Sequence, residues 1–304
     1  MTVAKDRTGS AVAAAALTDE RVEHQGVGRA LAQFIRSQPI GAVSAVVVIA
    51  LMLASLLAPV LAPYGQNALV GLPFGHPNGQ YLLGTDALGR DVLSRLLWGG
   101  RVSLTVGIAG SAVGVLGGTM LGILAGYAGR ATDTIIERFV DGAQAIPPLV
   151  LALVLVAAFG GSVTIIVIAV AVVYVPITAR VVRPVVLSLK TRPYVEAARA
   201  SGASTARILV YHIAVNTVPT VLVLSSLAVA SGIVIEASLS FLGVGVPPNV
   251  ASWGGMIQAT EIQSLPLAPW TMLAPAAVIG IAVYAFNLLG DAVRDALDPK
   301  LRGA

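Results

Sequence analysis

Few side chains in this sequence could perform acid–base or nucleophilic chemistry. The chain has 304 residues, three histidines and no cysteine. His24, His76 and His212 lie outside its long apolar stretches, so neither a serine–histidine protease within a membrane nor an HExxH site is present. Asp141 and Asp291 are the candidates for an aspartyl protease, but each lies near one end of an apolar stretch, and the latter is not part of a GxGD motif. The sequence therefore predicts no catalytic residue and no metal site.

A nucleotide-binding loop is also missing. A P-loop needs the pattern GxxxxGK[ST], whose backbone N–H groups and lysine hold the phosphates. None of the three lysines, Lys5, Lys190 and Lys300, follows a glycine. Any ATP used together with this chain is therefore hydrolysed by another protein.

The composition is that of a polytopic membrane protein. Hydrophobic residues make up 56% of the chain, charged residues make up 11%, and the mean hydropathy is +0.86. This is more apolar surface than one soluble core could bury. We predict an all-α membrane protein, because six stretches are long enough to cross a hydrocarbon core of about 30 Å. They are residues 40–61, 102–127, 139–159, 163–182, 218–241 and 272–292.

The basic residues indicate the orientation of these spans. With the N-terminus inside, 16 of the 19 lysines and arginines fall in cytoplasmic segments, and only Arg90, Arg95 and Arg101 fall outside. Because basic loops stay in the cytoplasm, both termini are predicted to be cytoplasmic. The net charge of +4 is explained by these basic residues, which flank spans in membrane lipid. Nucleic acid is therefore not expected to be a partner.

The same assignment divides the chain into a tail and a membrane domain. Residues 1–39 are the predicted cytoplasmic tail, and residues 40–304 are the transmembrane domain. The external loops are predicted at about 62–101 and 242–271, and a cytoplasmic loop at about 183–217.

That cytoplasmic loop contains a charged, helix-forming stretch. Pro193 is favourable at a first helical position, Glu196 lies near the positive end of the helix dipole, and Gly202 is a stop signal. A second short helix is predicted to begin with Ser204 or Thr205 as its N-cap. The residues alone leave two interpretations open: a compact docking element for another protein, or an amphipathic loop on the membrane surface.

Five glycines recur at every fourth position of the second predicted span. Four residues turn an α-helix about 40° beyond a full turn, so the glycines form one slowly winding groove. Small residues at this spacing let a second helix backbone approach closely, whereas the alternative is a helix weakened to act as a hinge. We predict the packing role for Gly110, Gly114, Gly118, Gly122 and Gly126.

Polar residues interrupt the fifth predicted span, among them Ser225, Ser226, Ser231 and Glu236. A carboxylate within a membrane faces protein or a water-filled cavity, not lipid. The four residues are therefore candidates for the polar wall of a translocation path. The alternative, a Glu236 satisfied by the ends of neighbouring helices, agrees equally well with the sequence.

The first external loop contains a string of charged residues between Gly84 and Arg101. Asp86 and Asp91 alternate there with arginines, at spacings that allow pairing on a short helix beginning near Asp86. One interpretation is a self-paired elbow that leads into the second span.

Several of these strings resemble bacterial ABC importers. Glu196-Ala197-Ala198, followed by Gly202, resembles the EAA loop of their membrane-spanning subunits, which is cytoplasmic and seats in a groove of the ATPase. The chain departs from that family in one place. Where the family has an apolar residue, Leu and Pro, this chain has residues 213–215, Ile-Ala-Val, so the exit from the second helix is expected to differ.

The external string is the most specific part of the resemblance. It is similar to the GTDxLGRDxxSRxxxGxR signature of the second permease subunit of dipeptide, oligopeptide and nickel importers. The string EASLSFLG at Glu236 and the ending from Ala285 to Pro299 resemble the same family. The resemblance covers nearly all of the chain after Ile40.

The resemblance implies a type I ABC importer permease fold in the bacterial inner membrane, with six transmembrane helices and a cytoplasmic coupling helix. The implied partners are a second, homologous permease, two ATP-binding subunits or domains, and an extracytoplasmic substrate-binding protein. ATP and Mg would be bound by those partners, with no cofactor in this chain. The residues implied to couple the chain to the ATPase are Tyr194, Glu196, Ala197, Ala198, Arg199, Gly202 and Ala203.

The substrate implied by the resemblance is a dipeptide or oligopeptide, and nickel or another small solute is the alternative. An ion-coupled secondary transporter is a remote second class, because proline-broken spans and one buried glutamate also suit ion coupling. It is disfavoured because the sequence has no recognisable inverted repeat and such a transporter does not need a helical docking element.

Overall fold

Long apolar helices dominate the computed structural model. It describes residues 38–259 and 266–297, so the predicted tail up to residue 37 and the C-terminal string beyond residue 297 lie outside the described residues. Within them, the only β-structure is two isolated antiparallel bridges in the first of the loops predicted to be external. The predicted all-α class is confirmed.

The described residues form helices that we number in chain order. They are α1 (Pro39–Leu56), α2 (Ala58–Leu61), α3 (Val92–Thr105), α4 (Ser111–Ala128), α5 (Arg130–Gln144), α6 (Pro148–Phe159), α7 (Val163–Leu189), α8 (Pro193–Ala200), α9 (Thr205–Ile208), α10 (Val215–Phe241), α11 (Trp253–Gln258) and α12 (Trp270–Leu297). The π-helical segments Val106–Gly110 and Leu209–Ala214 join α3 to α4 and α9 to α10 without a loop.

Five helical segments among the described residues are long and apolar enough to cross a membrane. These are α1, α7, α12 and two joined segments of 37 residues each, Val92–Ala128 and Thr205–Phe241. Both joined segments begin well before the predicted spans. The predicted spans start where the long apolar runs start. The helices begin earlier, because Arg95 is buried within α3 beside Asp86, and because Ile208 and Ile213 are buried ahead of α10.

The third predicted span, residues 139–159, is not one straight helix. The chain is broken there between α5 and α6, whose axes meet at 84°. Pro147 is extended and Pro148 begins α6, because a proline inside a helix lacks the N–H and clashes with the preceding turn. With 12 residues, α6 is about 18 Å long, which is too short to cross a membrane alone.

The bent pair α5–α6 nevertheless serves as one crossing of the bundle. Gly114 of α4 faces Tyr174 of α7, and Gly126 faces Val186, so α4 and α7 run parallel. The chain must therefore return from one side of the bundle to the other between them, and only α5 and α6 intervene. This gives the six crossings of the predicted fold.

The five glycines of the second span all face α7. An added Cβ at Gly110 would lie 2.8 Å from the Val170 Cβ, and one at Gly122 would lie 2.9 Å from the Ala179 carbonyl oxygen. These distances are shorter than van der Waals contact. The residues that face Gly114, Gly118 and Gly126 are Tyr174, Val175, Thr178 and Val186. The glycine groove is thus occupied by a helix backbone, in the arrangement expected for close packing.

The loops predicted to be external gather at one end of the bundle. Asn67 donates to the Asn249 carbonyl at 2.7 Å, and the Ala251 N–H donates to the Gln66 side chain at 3.2 Å. Gly161, between α6 and α7, lies against the Gly245 carbonyl. The stretch that contains α8 and α9 lies at the opposite end.

Candidate functional site

The stretch after α7 folds as a helical corner, which we call the α8–α9 corner (Pro193–Ala200, Gly202 and Thr205–Ile208). Pro193 occupies the first turn of α8, together with Glu196. Gly202 has φ +78°, and the N–H of Ala203 donates to the Ala198 carbonyl at 3.0 Å, which closes the end of α8. Ser204 then caps α9 by accepting from the Arg207 N–H at 3.4 Å.

The sequence predicts a separate second helix in this corner. In the structure, that helix is the beginning of the fifth crossing. After α9 the chain continues through Leu209–Ala214 into α10. Two buried residues favour this continuity, because Ile208 and Ile213 pack with Val182, Val186 and Val195 in one apolar cluster. The corner is thereby fixed to α7 and directly extends the fifth crossing.

Most of the residues implied to contact an ATPase are exposed on the corner. Ala198 and Ala203 are half-buried and pack against the cluster around Val195. Glu196 and Arg199 make no ion pair with any residue that the structure describes. The exposed members of the set are Tyr194, Glu196, Ala197, Arg199 and Gly202. The corner thus presents both signs of charge, unpaired, to its surroundings.

Ion pairs fasten α5 to α7 beside this corner. Arg183 binds Asp133 through two hydrogen bonds of 2.6 and 2.7 Å, and Arg180 pairs with Asp141. Lys190 donates to the Gly126 carbonyl at 2.7 Å, which caps the end of α4. Asp141 therefore has a structural partner at the end of the bundle.

At the opposite end, Glu236 is the centre of a buried hydrogen-bond network. The side chain is fully buried. Ser103 of α3 donates to one carboxylate oxygen at 2.7 Å, and Ser240 donates to the other at 2.8 Å. Ser103 also accepts from the Trp253 N–H at 3.2 Å. Glu236 therefore joins α10 to α3 and, through Ser103, to α11, so it is satisfied by neighbouring helices in this conformation.

Sequence reasoning missed Ser103. It is one small residue in the last turn of α3, and its partner lies 133 positions away. Nothing in its neighbours distinguishes it from serines that bond their own helix. The indole N–H of Trp253 donates to the Leu96 carbonyl at 3.0 Å, which is a second contact between positions far apart in the chain.

The other predicted path residues occupy two different environments. Ser225 and Ser226 donate to the carbonyls of Val221 and Leu222 in their own helix, at 2.8 and 3.3 Å. Ser231 is exposed and lines a cavity instead. Ser225 and Ser226 are thus bonded to their own helix, whereas Ser231 lines a cavity.

The cavity at Ser231 has a volume of about 450 Å³ and lies beside the bend between α5 and α6. Pro147 and Pro148 form one wall, and Tyr174 of α7 and Asn287 of α12 contribute polar groups. The remaining lining is apolar and includes Leu149, Val173, Ile177, Val234, Ile235 and Val283. Four crossings therefore meet around one space with a few polar side chains.

The external string forms a self-paired elbow. Asp86 accepts from Arg90 at 2.7 Å and lies 3.6 Å from Arg95. The helix begins later than the sequence predicts, because Asp86 instead holds a turn by accepting from the N–H groups of Leu88 and Arg90. Asp91 is the N-cap of α3 and accepts from the Ser94 N–H at 2.7 Å.

Comparison with known proteins connects this architecture to membrane transport. The family model for binding-protein-dependent transport system inner membrane components matches residues 118–303. The chain is 42% identical to a probable peptide ABC transporter permease of Sinorhizobium fredii, over 81% of the chain and 84% of that relative. It is 43% identical to a glutathione transport system permease of Pectobacterium atrosepticum (74% and 75% covered). It is 36% identical to a dipeptide transport system permease of Alkalihalophilus pseudofirmus (88% and 88% covered).

Proposed function

The chain belongs to the family of binding-protein-dependent transport system inner membrane components, and on this premise we propose that it forms half of the membrane path of an ATP-driven peptide importer. As a member of that family it is a multi-pass protein of the inner membrane. The relatives named for peptide, glutathione and dipeptide transport support a small peptide as the substrate.

The proposed complex contains partners that supply what this chain lacks. A second, homologous permease forms the other half of the path, and an extracytoplasmic binding protein delivers the peptide. Two ATP-binding subunits or domains bind ATP and Mg and perform the hydrolysis. The chain itself is not an enzyme in this proposal, since its sequence contains no P-loop.

The α8–α9 corner carries the proposal, because it is an exposed helical surface with unpaired charges that is continuous with a crossing. Thr205–Phe241 has 37 residues, which corresponds to about 55 Å of helix. It extends from the corner to Glu236, whose hydrogen bonds reach α3 and, through Ser103, α11. A displacement imposed on the corner by an ATPase is thereby transmitted along one helix to the external end.

Single cysteines test both the docking and the orientation. The chain has no cysteine of its own, and Asn78, Thr205 and Gln258 are exposed. In intact cells, an impermeant thiol reagent is expected to label Asn78→Cys and Gln258→Cys, and to label Thr205→Cys only after the membrane is permeabilised. A bifunctional reagent is expected to link Thr205→Cys to an ATPase subunit.

Asn78→Cys is the matched control for the cross-link, since it lies on the predicted external side. Labelling of Thr205→Cys in intact cells would reverse the orientation. Cross-links from Thr205→Cys that reach no ATPase subunit in the purified complex would contradict the docking surface.

A further inference from the structure

We propose that the cavity beside the Pro147–Pro148 bend binds the peptide amide groups of the passing substrate through Tyr174, Ser231 and Asn287. This inference rests on the proposed peptide import and assigns a contact site within it. The three residues belong to three different crossings, α7, α10 and α12. They line the same space.

The hydroxyl of Ser231 is directed differently from those of its neighbours. Ser225, Ser226 and Ser238 of α10 each donate to the carbonyl four residues earlier, at 2.8, 3.3 and 2.8 Å. Within the described part of the chain, Ser231 makes no such bond; its side chain interacts with that of Tyr174, which lines the same cavity. Its polar group is therefore turned away from its own backbone and towards the space.

Asn287 is the clearest sign that this space receives a polar ligand. Its side chain is half-buried and lines the cavity. It makes no hydrogen bond to any residue that the structure describes. A polar amide without a partner is costly away from water, and polar groups at membrane depth face protein or aqueous cavities. A primary amide has both donors and an acceptor, which match the C=O and N–H of a peptide group.

The three polar residues lie at mid-depth in their helices. Tyr174, Ser231 and Asn287 are each at least ten residues from either end of α7, α10 and α12. Ten residues correspond to about 15 Å of helix, which is half of a hydrocarbon core of about 30 Å. A substrate at this position would have left one side of the membrane and not yet reached the other.

The size and lining of the cavity suit a short peptide. Its volume of about 450 Å³ falls within the range of roughly 300–1,000 Å³ that is typical of small-molecule sites. The apolar wall accommodates side chains, while the amide and two hydroxyls meet the backbone. None of the lining residues is acidic, basic or histidine, so the lining favours neither a positive nor a negative peptide side chain over the other.

A charge placed at Asn287 should therefore create a preference that the native site lacks. In vesicles with the complete complex, Asn287→Asp is expected to favour Ala-Lys over Ala-Glu, and Asn287→Lys is expected to do the reverse. The uptake ratio of the two dipeptides should shift by about tenfold in each direction, since like charges at close range are strongly disfavoured. Binding of both dipeptides by the isolated binding protein is the control and should not change.

A second measurement does not require a charge in the membrane. Ser231→Cys and its matched control Ser226→Cys lie on the same helix, but only the first lines the cavity. With Ala-Ala and ATP present, modification of Ser231→Cys by a small thiol reagent should slow by about fivefold or more, because an occupied site excludes the reagent. Modification of Ser226→Cys should be unaffected.

The outcomes separate this site from the proposed function. If the unmodified complex imports Ala-Ala, but the Asn287 variants leave the uptake ratio unchanged and Ser231→Cys is not protected, the cavity is not the contact site. If the unmodified complex imports no peptide, the proposed function fails and the site fails with it. Opposite shifts in the ratio together with selective protection would establish the site.

Discussion

Replacing Gly202 with valine is expected to abolish peptide uptake and substrate-stimulated ATP hydrolysis, while the chain still inserts and folds. Gly202 has φ +78°, and an added Cβ would meet no atom within 4 Å. The change therefore creates no clash and acts through the backbone alone. A residue with a Cβ in the left-handed region is destabilised by roughly 1–2 kcal/mol, and a β-branched residue is especially unfavourable there. The backbone at residue 202 should then adopt another conformation, and the direction of α8 relative to α9 should change.

Matched variants distinguish backbone conformation from bulk. Gly202→Asn should retain coupling, because asparagine tolerates the left-handed region. Gly142→Val adds the same side chain to a glycine of α5 that also has open space and lacks a positive φ, so it should also retain coupling. The readouts are copurification of the ATPase subunits, uptake and ATPase rate in vesicles. Normal coupling in Gly202→Val would show that the corner is only a surface loop.

Charge reversal on the same surface is expected to give a similar defect without changing the backbone. Glu196 is exposed in the first turn of α8 and has no ion partner among the described residues. Glu196→Lys replaces attraction to a basic group of the ATPase with repulsion, which weakens association more than removal of the charge. Glu196→Gln should therefore lose less uptake than Glu196→Lys.

Gly118→Leu is expected to prevent assembly of the complex. An added Cβ at Gly118 would meet the Val175 carbonyl oxygen and would lie 2.5 Å from the Thr178 Cβ. Both neighbours belong to α7 and cannot move aside as a flexible side chain could. Overpacking of this kind costs about 1–3 kcal/mol. The purified chain should therefore melt at a lower temperature, and little of it should copurify with its partners.

Gly280→Leu is the control for this prediction, since Gly280 of α12 has open space where a Cβ would lie. It adds the same apolar side chain to another crossing and should leave the melting temperature close to that of the parent. If Gly118→Leu melts and assembles like Gly280→Leu, the packing role of the glycine groove is wrong.

The features that the sequence could predict are those with local causes. The glycine groove repeats every four residues within one helix, and the α8–α9 corner is marked by Pro193, Gly202 and a serine cap within a dozen positions. Such signals depend on backbone geometry over one or two turns. These features can therefore be predicted without knowing the partner helices.

The features that the sequence could not predict depend on residues distant in the chain. Glu236 meets Ser103 across 133 positions, and no pattern near either residue indicates the other. Asn287 is one polar residue in an apolar helix, and its significance depends on Tyr174 and Ser231 facing the same space. The bend between α5 and α6 falls near the start of a stretch predicted as one span, and the ion pairs from Asp133 and Asp141 to α7 help to hold α5 in place.

The boundaries of the long helices were missed for a related reason. Charged residues such as Arg95 set the predicted start of the second span at residue 102, whereas the contact of Arg95 with Asp86 allows one helical segment to run from Val92 to Ala128. The fifth crossing begins at Thr205 because Ile208 and Ile213 are buried against α7. Burial by tertiary contacts therefore extended both helices beyond their apolar runs.

ATP-driven peptide import is tested most directly by uptake of a radiolabelled dipeptide into vesicles that contain the purified complex and its binding protein. We predict uptake that requires Mg and ATP, persists when ion gradients are collapsed, and is lost in Gly202→Val but retained in Gly142→Val. Uptake that continues without ATP and stops when the ion gradients are collapsed would contradict it, because that behaviour belongs to an ion-coupled transporter.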